Sequence, residues 1–279
     1  MREQLTVWSL NGGRFVAETQ QEEANTIRWL RSLSDLNIEL PDVLCLQDFR
    51  LSLFCYLAPF PHFEFMPMTN HLIFGKRELV GIVIASRYPL TLVNREFTWG
   101  DGHIRDLMGI DNNNTRIKPY QVTDRLILQT EARCFLAATV QKEGLQWRIA
   151  TTHGFWTRGG TLTSEQREST QRLCECALKD AHKHGGTILL GDLNLDTEGE
   201  ILRVFAMHGA KDHPPSEITT TLAPSHPAAK FGAKPDRVMV WPNDLGQYPY
   251  HPARVVIDFS SGSDHGMLCT IFVRHLCDN

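Results

Sequence analysis

Apolar residues recur along the chain in two alternating rhythms, short strand-like runs and helical spacing, from one end to the other. Leu5 to Leu10 is the first short run. Between Glu22 and Leu36, Ile27, Leu30 and Leu33 fall along one side of a helix, and Pro41-Asp42 breaks the chain before the buried-strand run Val43-Leu44-Cys45-Leu46. Phe63 to Phe74 and Leu79 to Ala85 predict further strands. Trp147 and Ile149 alternate with Gln146 and Arg148, which makes Gln146 to Thr152 a strand with one wetter face. The clearest helix follows. Thr163 and Gln166 have capping-box spacing, Thr170, Leu173, Cys174, Ala177 and Ala181 form its apolar stripe, and Gly185-Gly186 ends it before the short buried strand Thr187 to Leu190. Thr98 to Thr123, rich in Asn, Asp and Gly, and Lys211 to Lys234, rich in Pro, Thr and Ala, follow neither rhythm. Both predict long loops, which in a compact domain are the natural place for substrate selection.

Alternating strand and helix signals favour an α/β architecture over separate α and β domains. At 42% hydrophobic and 22% charged residues, the 279-residue chain has the composition of a globular protein and not of a disordered, collagenous or coiled-coil one. The longest obvious apolar run, Leu79 to Ala85, is far short of the roughly 18 to 20 residues that span a bilayer, so the chain reads as soluble. Met1 to Trp8 shows no basic segment leading into an apolar stretch and a cleavage site. The seven cysteines are an odd number without zinc-type spacing, Cys174 and Cys176 being the only close pair, which points to reduced thiols. A cytoplasmic location is the expectation. Twenty-eight basic against 32 acidic residues give a net charge of −4, which argues against holding nucleic acid by bulk positive charge. Enzymes acting on phosphate esters stay open, because a metal ion supplies positive charge where it is needed.

The chemistry-bearing residues gather at strand ends. Asn11 follows Val7-Trp8-Ser9-Leu10, Asp48 follows Leu44-Cys45-Leu46-Gln47, and His153 follows Ile149-Ala150-Thr151-Thr152. Asp192 and Asn194 follow Ile188-Leu189-Leu190-Gly191, Asp236 precedes Arg237-Val238-Met239-Val240, and Asp264-His265 precedes Gly266-Met267-Leu268. Each alone is an ordinary turn or cap residue. Together they place carboxylates, Asn and His where ligand sites of α/β sheets collect, a set suited to a hard divalent cation and proton transfer.

In order and local wording these pieces resemble the endonuclease/exonuclease/phosphatase superfamily, with its deoxyribonuclease I-like fold, over most of the chain. The matching pieces are Val7-Trp8-Ser9-Leu10-Asn11-Gly12, Pro41 to Asp48, Thr151-Thr152-His153-Gly154, Gly191-Asp192-Leu193-Asn194, Pro235-Asp236-Arg237-Val238 and Ser263-Asp264-His265. The resemblance implies an α/β four-layer sandwich, two packed mixed β-sheets flanked by helices, forming a single domain over residues 1–279. It also implies roles. Asn11 and Asp48, with Asp264, would hold Mg²⁺ or Mn²⁺. Asp48 stands where the family normally has Glu, one methylene longer. Asp192 would orient or deprotonate the attacking water and Asn194 would bind a phosphate oxygen, although a turn with Asp196 or Thr197 capping the next helix also accounts for this stretch. His265 would act on the scissile phosphate, held by Asp236. His153 would be the family's second His, whose partner in the family is an acidic residue from an earlier strand, Glu78 being one candidate for it. Trp156 and Arg158, or Arg167, would touch substrate, while Phe155 and Trp156 serve equally as core.

The expected function is divalent-metal-dependent phosphoester hydrolysis, foremost a nuclease-type phosphodiesterase acting as a monomer. Two alternatives stand beside it. One is a phosphatase or phosphodiesterase acting on small-molecule or lipid-headgroup phosphoesters; the other, of a different class, is a catalytically silent binding or scaffold domain.

Overall fold

The computed structural model describes residues 3–12, 20–35, 39–110, 116–117, 131–155, 157, 161–195, 199–214, 220–224, 226, 229–258, 261, 263 and 265–274. The expected strands are present as β1 (Gln4–Asn11), β2 (Val43–Arg50), β3 (His62–Ile73), β4 (Lys76–Ser86), β9 (Leu145–His153) and β10 (Thr187–Asp192). Eight further strands join them: β5 (Leu90–Trp99), β6 (Arg105–Ile110), β7 (Arg116–Ile117), β8 (Arg133–Lys142), β11 (Lys211–Asp212), β12 (Asp236–Trp241), β13 (Tyr250–Asp258) and β14 (Met267–Arg274). The helices are α1 (Gln20–Ser32), α2 (Ser164–His184) and α3 (Glu200–Met207).

Among the described residues the strands form two mixed sheets, ordered β13-β14-β1-β2-β4-β3-β6-β7 and β11-β12-β10-β9-β8-β5. Side chains alternate between faces along a strand. Leu5, Val7, Val43, Cys45, Ile82 and Ile84 of the first sheet therefore meet Leu136, Ile149, Ile188, Leu190, Val238 and Val240 of the second in one buried core. The opposite faces are covered separately. Leu30 of α1, Leu33 just past its end, and Leu53 and Leu57 of a 3-10 turn pack on Leu44, Leu46 and Val83, while α2 and α3 place Leu173, Ala177, Ile201 and Phe205 on Phe135, Leu189 and Met239. This is the expected four-layer sandwich.

Local rules account for the ends of α2. The Thr163 hydroxyl accepts a hydrogen bond from the Gln166 N–H at 3.1 Å, and Gly185 takes the left-handed conformation (φ 78°) that closes the helix. Helix α3 differs from expectation: Gly199, not Asp196 or Thr197, stands at its N-cap, and residues 196–198 lie outside the described residues. The two expected loops also carry strands. Within residues 98–123, β6 pairs in parallel with β3, and within 211–234, β11 pairs with β12, so neighbouring strands supply the order that the local composition does not signal. Among the described residues no helix is long and apolar enough to cross a membrane.

Candidate active site

Register brings the strand-end residues together. Asp192 on β10 lies opposite His153 on the parallel strand β9 and opposite Asp236 on the antiparallel strand β12, so the three form one row across the sheet. Each is in phase with inward-facing core residues of its own strand, Leu190, Ile149 and Val238. In the facing sheet Asn11 lies opposite Gln47, in phase with Val7 and Cys45. The row and its counterpart thus occupy inward positions toward one end of the two sheets, at one rim.

Asp192 is the centre of the cluster. One carboxylate oxygen accepts the Asn194 backbone N–H at 2.7 Å, and the other accepts Asn11 Nδ2 at 2.7 Å across the two sheets. Two imidazoles face that second oxygen, His153 Nε2 at 3.7 Å and His265 Nε2 at 3.8 Å, both longer than a hydrogen bond. Each imidazole is steered from its far side by a carboxylate of its own. Asp236 Oδ2 lies 2.9 Å from His265 Nδ1, and Asp48 Oδ1 lies 3.0 Å from His153 Nδ1. A carboxylate on Nδ1 fixes the tautomer in which that nitrogen carries the proton.

The acidic partner of His153 is therefore Asp48 and not Glu78. Glu78 lies opposite His71 on the β3–β4 hairpin. The cause is local: the β2–β4 register shifts between Leu46 and Phe49, and Asp48 takes a left-handed backbone (φ 55°). In a regular strand Asp48 would face away from Gln47; the irregularity turns it toward β9. Asp is among the residues that tolerate this conformation best.

The electrostatics follow from burial and pairing. Burial raises the Asp48 carboxyl, but His153, by charge and hydrogen bond, with the charges of His71 and Arg133, outweighs it and leaves the group at about 2. Burial lowers His153, yet Asp48 and Asp192 together overcome this against the opposing charge of Arg133, holding the imidazole above its usual range. Asp236 is pushed upward, foremost by burial and further by Asp192, with His265 and the Thr221 hydroxyl acting against the rise.

Other residues support the site, and of these Thr221 and Arg133 carry no periodic or motif signal in the sequence. The Thr221 hydroxyl, fully buried, donates to Asp236 Oδ2 at 2.7 Å and accepts the Asp236 N–H at 3.3 Å. Gln166, expected to act in the cap of α2, sends its side-chain amide instead to the carbonyls of Phe155 (3.1 Å) and Asn194 (2.7 Å), tying two site loops together. Asn194 itself has φ 48° and donates through Nδ2 to the Gly154 carbonyl at 3.0 Å. Gly154 can have no side chain: a Cβ there would lie 2.4 Å from the Leu193 carbonyl oxygen. Arg133 is buried beside the site, paired with Glu131 at 3.0 Å and lying over the Phe155 ring.

Comparison with solved structures bears on the architecture. Over 99% of this chain and 100% of the other, the structure is similar to an endonuclease/exonuclease/phosphatase family protein from Bacteroides thetaiotaomicron, at 14% identity and TM-score 0.64. The chain has the endonuclease/exonuclease/phosphatase fold. The same fold is shared with D. rerio TDP2 complexed with single strand DNA product (17% identity, 97% of this chain and 99% of the other, TM-score 0.58). A mannosyl-6-phosphatase from Bacteroides thetaiotaomicron is similar as well (14%, 96% and 99%, TM-score 0.62). No protein-family model and no curated protein matches the chain.

In this fold, then, the structure assembles Asn11, Asp48, His153, Asp192, Asn194, Asp236 and His265 around one rim. Phe155 is buried, its ring edge-on to Trp99 at 5.5 Å, which is the core reading. Arg167 is exposed and pairs with Glu200 at 3.7 Å. Trp156, Arg158 and Asp264 lie outside the described residues.

Asn11 offers a direct test of whether the residues suit a divalent cation. Its Oδ1 is buried and has no hydrogen-bond partner among the described residues. An orphaned buried acceptor is costly unless something occupies it, and oxygen donors suit a hard cation. Asp48, on the neighbouring strand, is the member of the cluster whose side chain is a quarter exposed, at 25%, against 2% for Asp192 and 3% for Asp236. Asp192, Asp236 and His265 also bring ligand atoms within 4.8 Å of one another, but Asp192 uses both oxygens and Asp236 its Oδ2 in the hydrogen bonds described above. The residues present fit a cation held at Asn11 and Asp48.

Proposed function

We propose that the protein is a divalent-cation-dependent phosphoester hydrolase, foremost a phosphodiesterase of nuclease type. The observation that carries this reading is the pair of imidazoles, each fixed at Nδ1 by its own carboxylate, whose Nε2 atoms both lie within 3.8 Å of Asp192 Oδ2. That arrangement sets a base between two proton-bearing groups, as in-line attack of water on a phosphoryl centre requires.

Asp192 accepts the proton of the attacking water, held in one orientation by Asn11 Nδ2 and the Asn194 N–H. In their charged forms, with Nδ1–H held by the carboxylates, His153 and His265 donate from Nε2 to phosphoryl oxygens as negative charge gathers on them. The raised pKa of His153 favours its charged, donating form. Asn11 and Asp48 would hold Mg²⁺ or Mn²⁺, which, when bound, supplies positive charge to the phosphoryl group and the leaving oxygen. With both oxygens of Asp192 engaged and both imidazoles anchored, the donors are in place before the reaction, which is where electrostatic catalysis draws its strength.

Support for a nucleic-acid substrate is the shared fold with TDP2 complexed with single strand DNA product. The second reading, a small-molecule phosphatase, draws on the equally similar mannosyl-6-phosphatase. The test sets a 5′-labelled single-stranded oligonucleotide against p-nitrophenyl phosphate, with Mg²⁺ or Mn²⁺, across a salt series. A nuclease cleaves the oligonucleotide with steeply salt-dependent KM, because backbone phosphates release counterions on binding. Turnover of the monoester alone, insensitive to salt, would give the second reading its place. Turnover of neither ester, nor of a sugar phosphate, would refute both.

A further inference from the structure

The carboxylate at position 48 is claimed twice. Asp48 Oδ1 lies 3.0 Å from His153 Nδ1, while in the proposed function the same side chain would share a cation with Asn11, whose buried Oδ1 has no hydrogen-bond partner among the described residues. The register puts Asp48 next to Gln47, the residue opposite Asn11, and the Gly12 N–H donates to the Gln47 carbonyl at 3.0 Å. Among the described residues no second carboxylate takes the Nδ1 of this imidazole: Glu78 lies opposite His71 on a different hairpin. His153 is 8% exposed and wedged between Asp48 and Asp192, so water does not replace the hydrogen bond at no cost.

We propose that Asp48 is a shared carboxylate that couples cation binding to the positioning of His153. One oxygen anchors the imidazole that faces Asp192, and the same side chain supplies charge to the cation. His153 touches no cation, yet its presence limits what Asp48 can give to one. Linkage is reciprocal: if loading the cation weakens the anchor on His153, removing His153 must strengthen the cation. This inference rests on the proposed function only in taking a divalent cation as the ligand of Asn11 and Asp48. In this scheme Asp48 is a positioning residue for His153, a role distinct from holding the cation.

The test is Mn²⁺ affinity of the full chain, measured by calorimetry without substrate, in a cycle of His153→Ala, Asp48→Asn and the double variant, with His153→Gln as a milder replacement. Glu78→Gln is the control. The expected result is Mn²⁺ binding about fivefold or more tighter in His153→Ala than in the wild type, at the lower end of ordinary coupling between sites. The same substitution has no further effect in the Asp48→Asn background, because the shared group is gone. Glu78→Gln binds as the wild type does. General relief of charge repulsion would instead give His153→Ala the same gain with or without Asp48, and that additivity overturns the proposal. An unchanged affinity in both His153 variants overturns it too. A second readout needs no variant: the ¹⁵N resonances of the His153 ring shift as the wild type is titrated with Mg²⁺, and their failure to move at saturating Mg²⁺ contradicts the coupling. Absence of any Mn²⁺ or Mg²⁺ binding at millimolar concentration refutes this inference together with the cation of the proposed function. Normal phosphoester turnover with an additive cycle refutes this inference alone.

Discussion

Replacing Thr221 by Val isolates a residue that touches neither substrate nor cation in the proposed mechanism. Val matches the shape of Thr and deletes only the hydroxyl, which donates at 2.7 Å to the same Asp236 oxygen that lies 2.9 Å from His265 Nδ1. A hydrogen bond to a charged group contributes about 1.5–3 kcal/mol, and the weaker bond from the Asp236 N–H, at 3.3 Å, adds about 0.5–1 kcal/mol. Thr221 is fully buried, so water does not substitute for the lost donor. Thr221→Val should therefore lose about 2–4 kcal/mol in urea unfolding with an unchanged slope. It should also lose activity. The hydroxyl acts against the rise of the Asp236 pKa; without it that pKa climbs further, and Asp236 holds His265 less firmly. The expected loss in kcat is about tenfold with KM little changed, following the general size of acid–base contributions, and Thr221→Ser should restore most of it. A Thr221→Val protein with wild-type stability and wild-type kcat would refute the reasoning that the hydroxyl, the carboxylate and the imidazole form one chain.

Other perturbations follow from the same geometry. The Asp48 pKa is depressed from 3.8 to about 2, so its pairing contributes stability that is present above pH 3.8 and lost as pH falls through about 2. The His153 pKa is raised above 6.5, so its contribution is full below pH 6.5 and lost as pH rises through the folded value. Asp48→Asn should accordingly cost about 2 kcal/mol between about pH 4 and 6.5, measured by urea unfolding in the absence of cation, with the difference shrinking on either side; a difference independent of pH contradicts the pairing. Gly154→Ala forces its Cβ against the Leu193 carbonyl and displaces the loop after His153 from the loop that carries Asn194. It should cost about 1–3 kcal/mol in stability and more than tenfold in turnover, and a variant of full activity would show that the loop has slack. Far from the rim, Arg148 and Asp180 form a buried pair, each with 1% side-chain exposure, joined by the Thr187 hydroxyl and the Leu92 carbonyl. Arg148→Met leaves Asp180 uncompensated and should destabilise by about 3–5 kcal/mol while leaving the KM of the folded fraction unchanged.

The periodicity of the sequence marked the strands that build the site because those strands are continuous apolar runs between turn residues. Their register was not written locally. Nothing in the residues near His153, Asp192 and Asp236 states that β9, β10 and β12 place them in one row; that depends on pairing between strands separated by a long helix and by loops. The stretch 98–123 reads as a loop because it is rich in Asn, Asp and Gly, while β6 within it gains its order from lying beside β3. The resemblance offers Glu78 only as a candidate partner of His153, and the bulge in β2 that delivers Asp48 leaves no trace in composition, since it depends on one residue at φ 55°. Thr221 lies in a run of Thr with no alternation to follow, so only the hydrogen bond to Asp236 distinguishes it from its neighbours. Gln166 was legible as a capping residue and not as a tether, because Thr163 caps the helix by itself and frees the Gln side chain.

The central claim is that Asp192 is the base of a cation-dependent phosphoester hydrolase. The most direct measurement is hydrolysis of bis-p-nitrophenyl phosphate with Mn²⁺, Mg²⁺ or EDTA, by the wild type and by Asp192→Ala, with circular dichroism to show that both are folded. The account predicts turnover that EDTA abolishes and that the variant loses by about a hundredfold or more. Turnover retained at the wild-type rate by a folded Asp192→Ala protein, or turnover indifferent to EDTA, would contradict it.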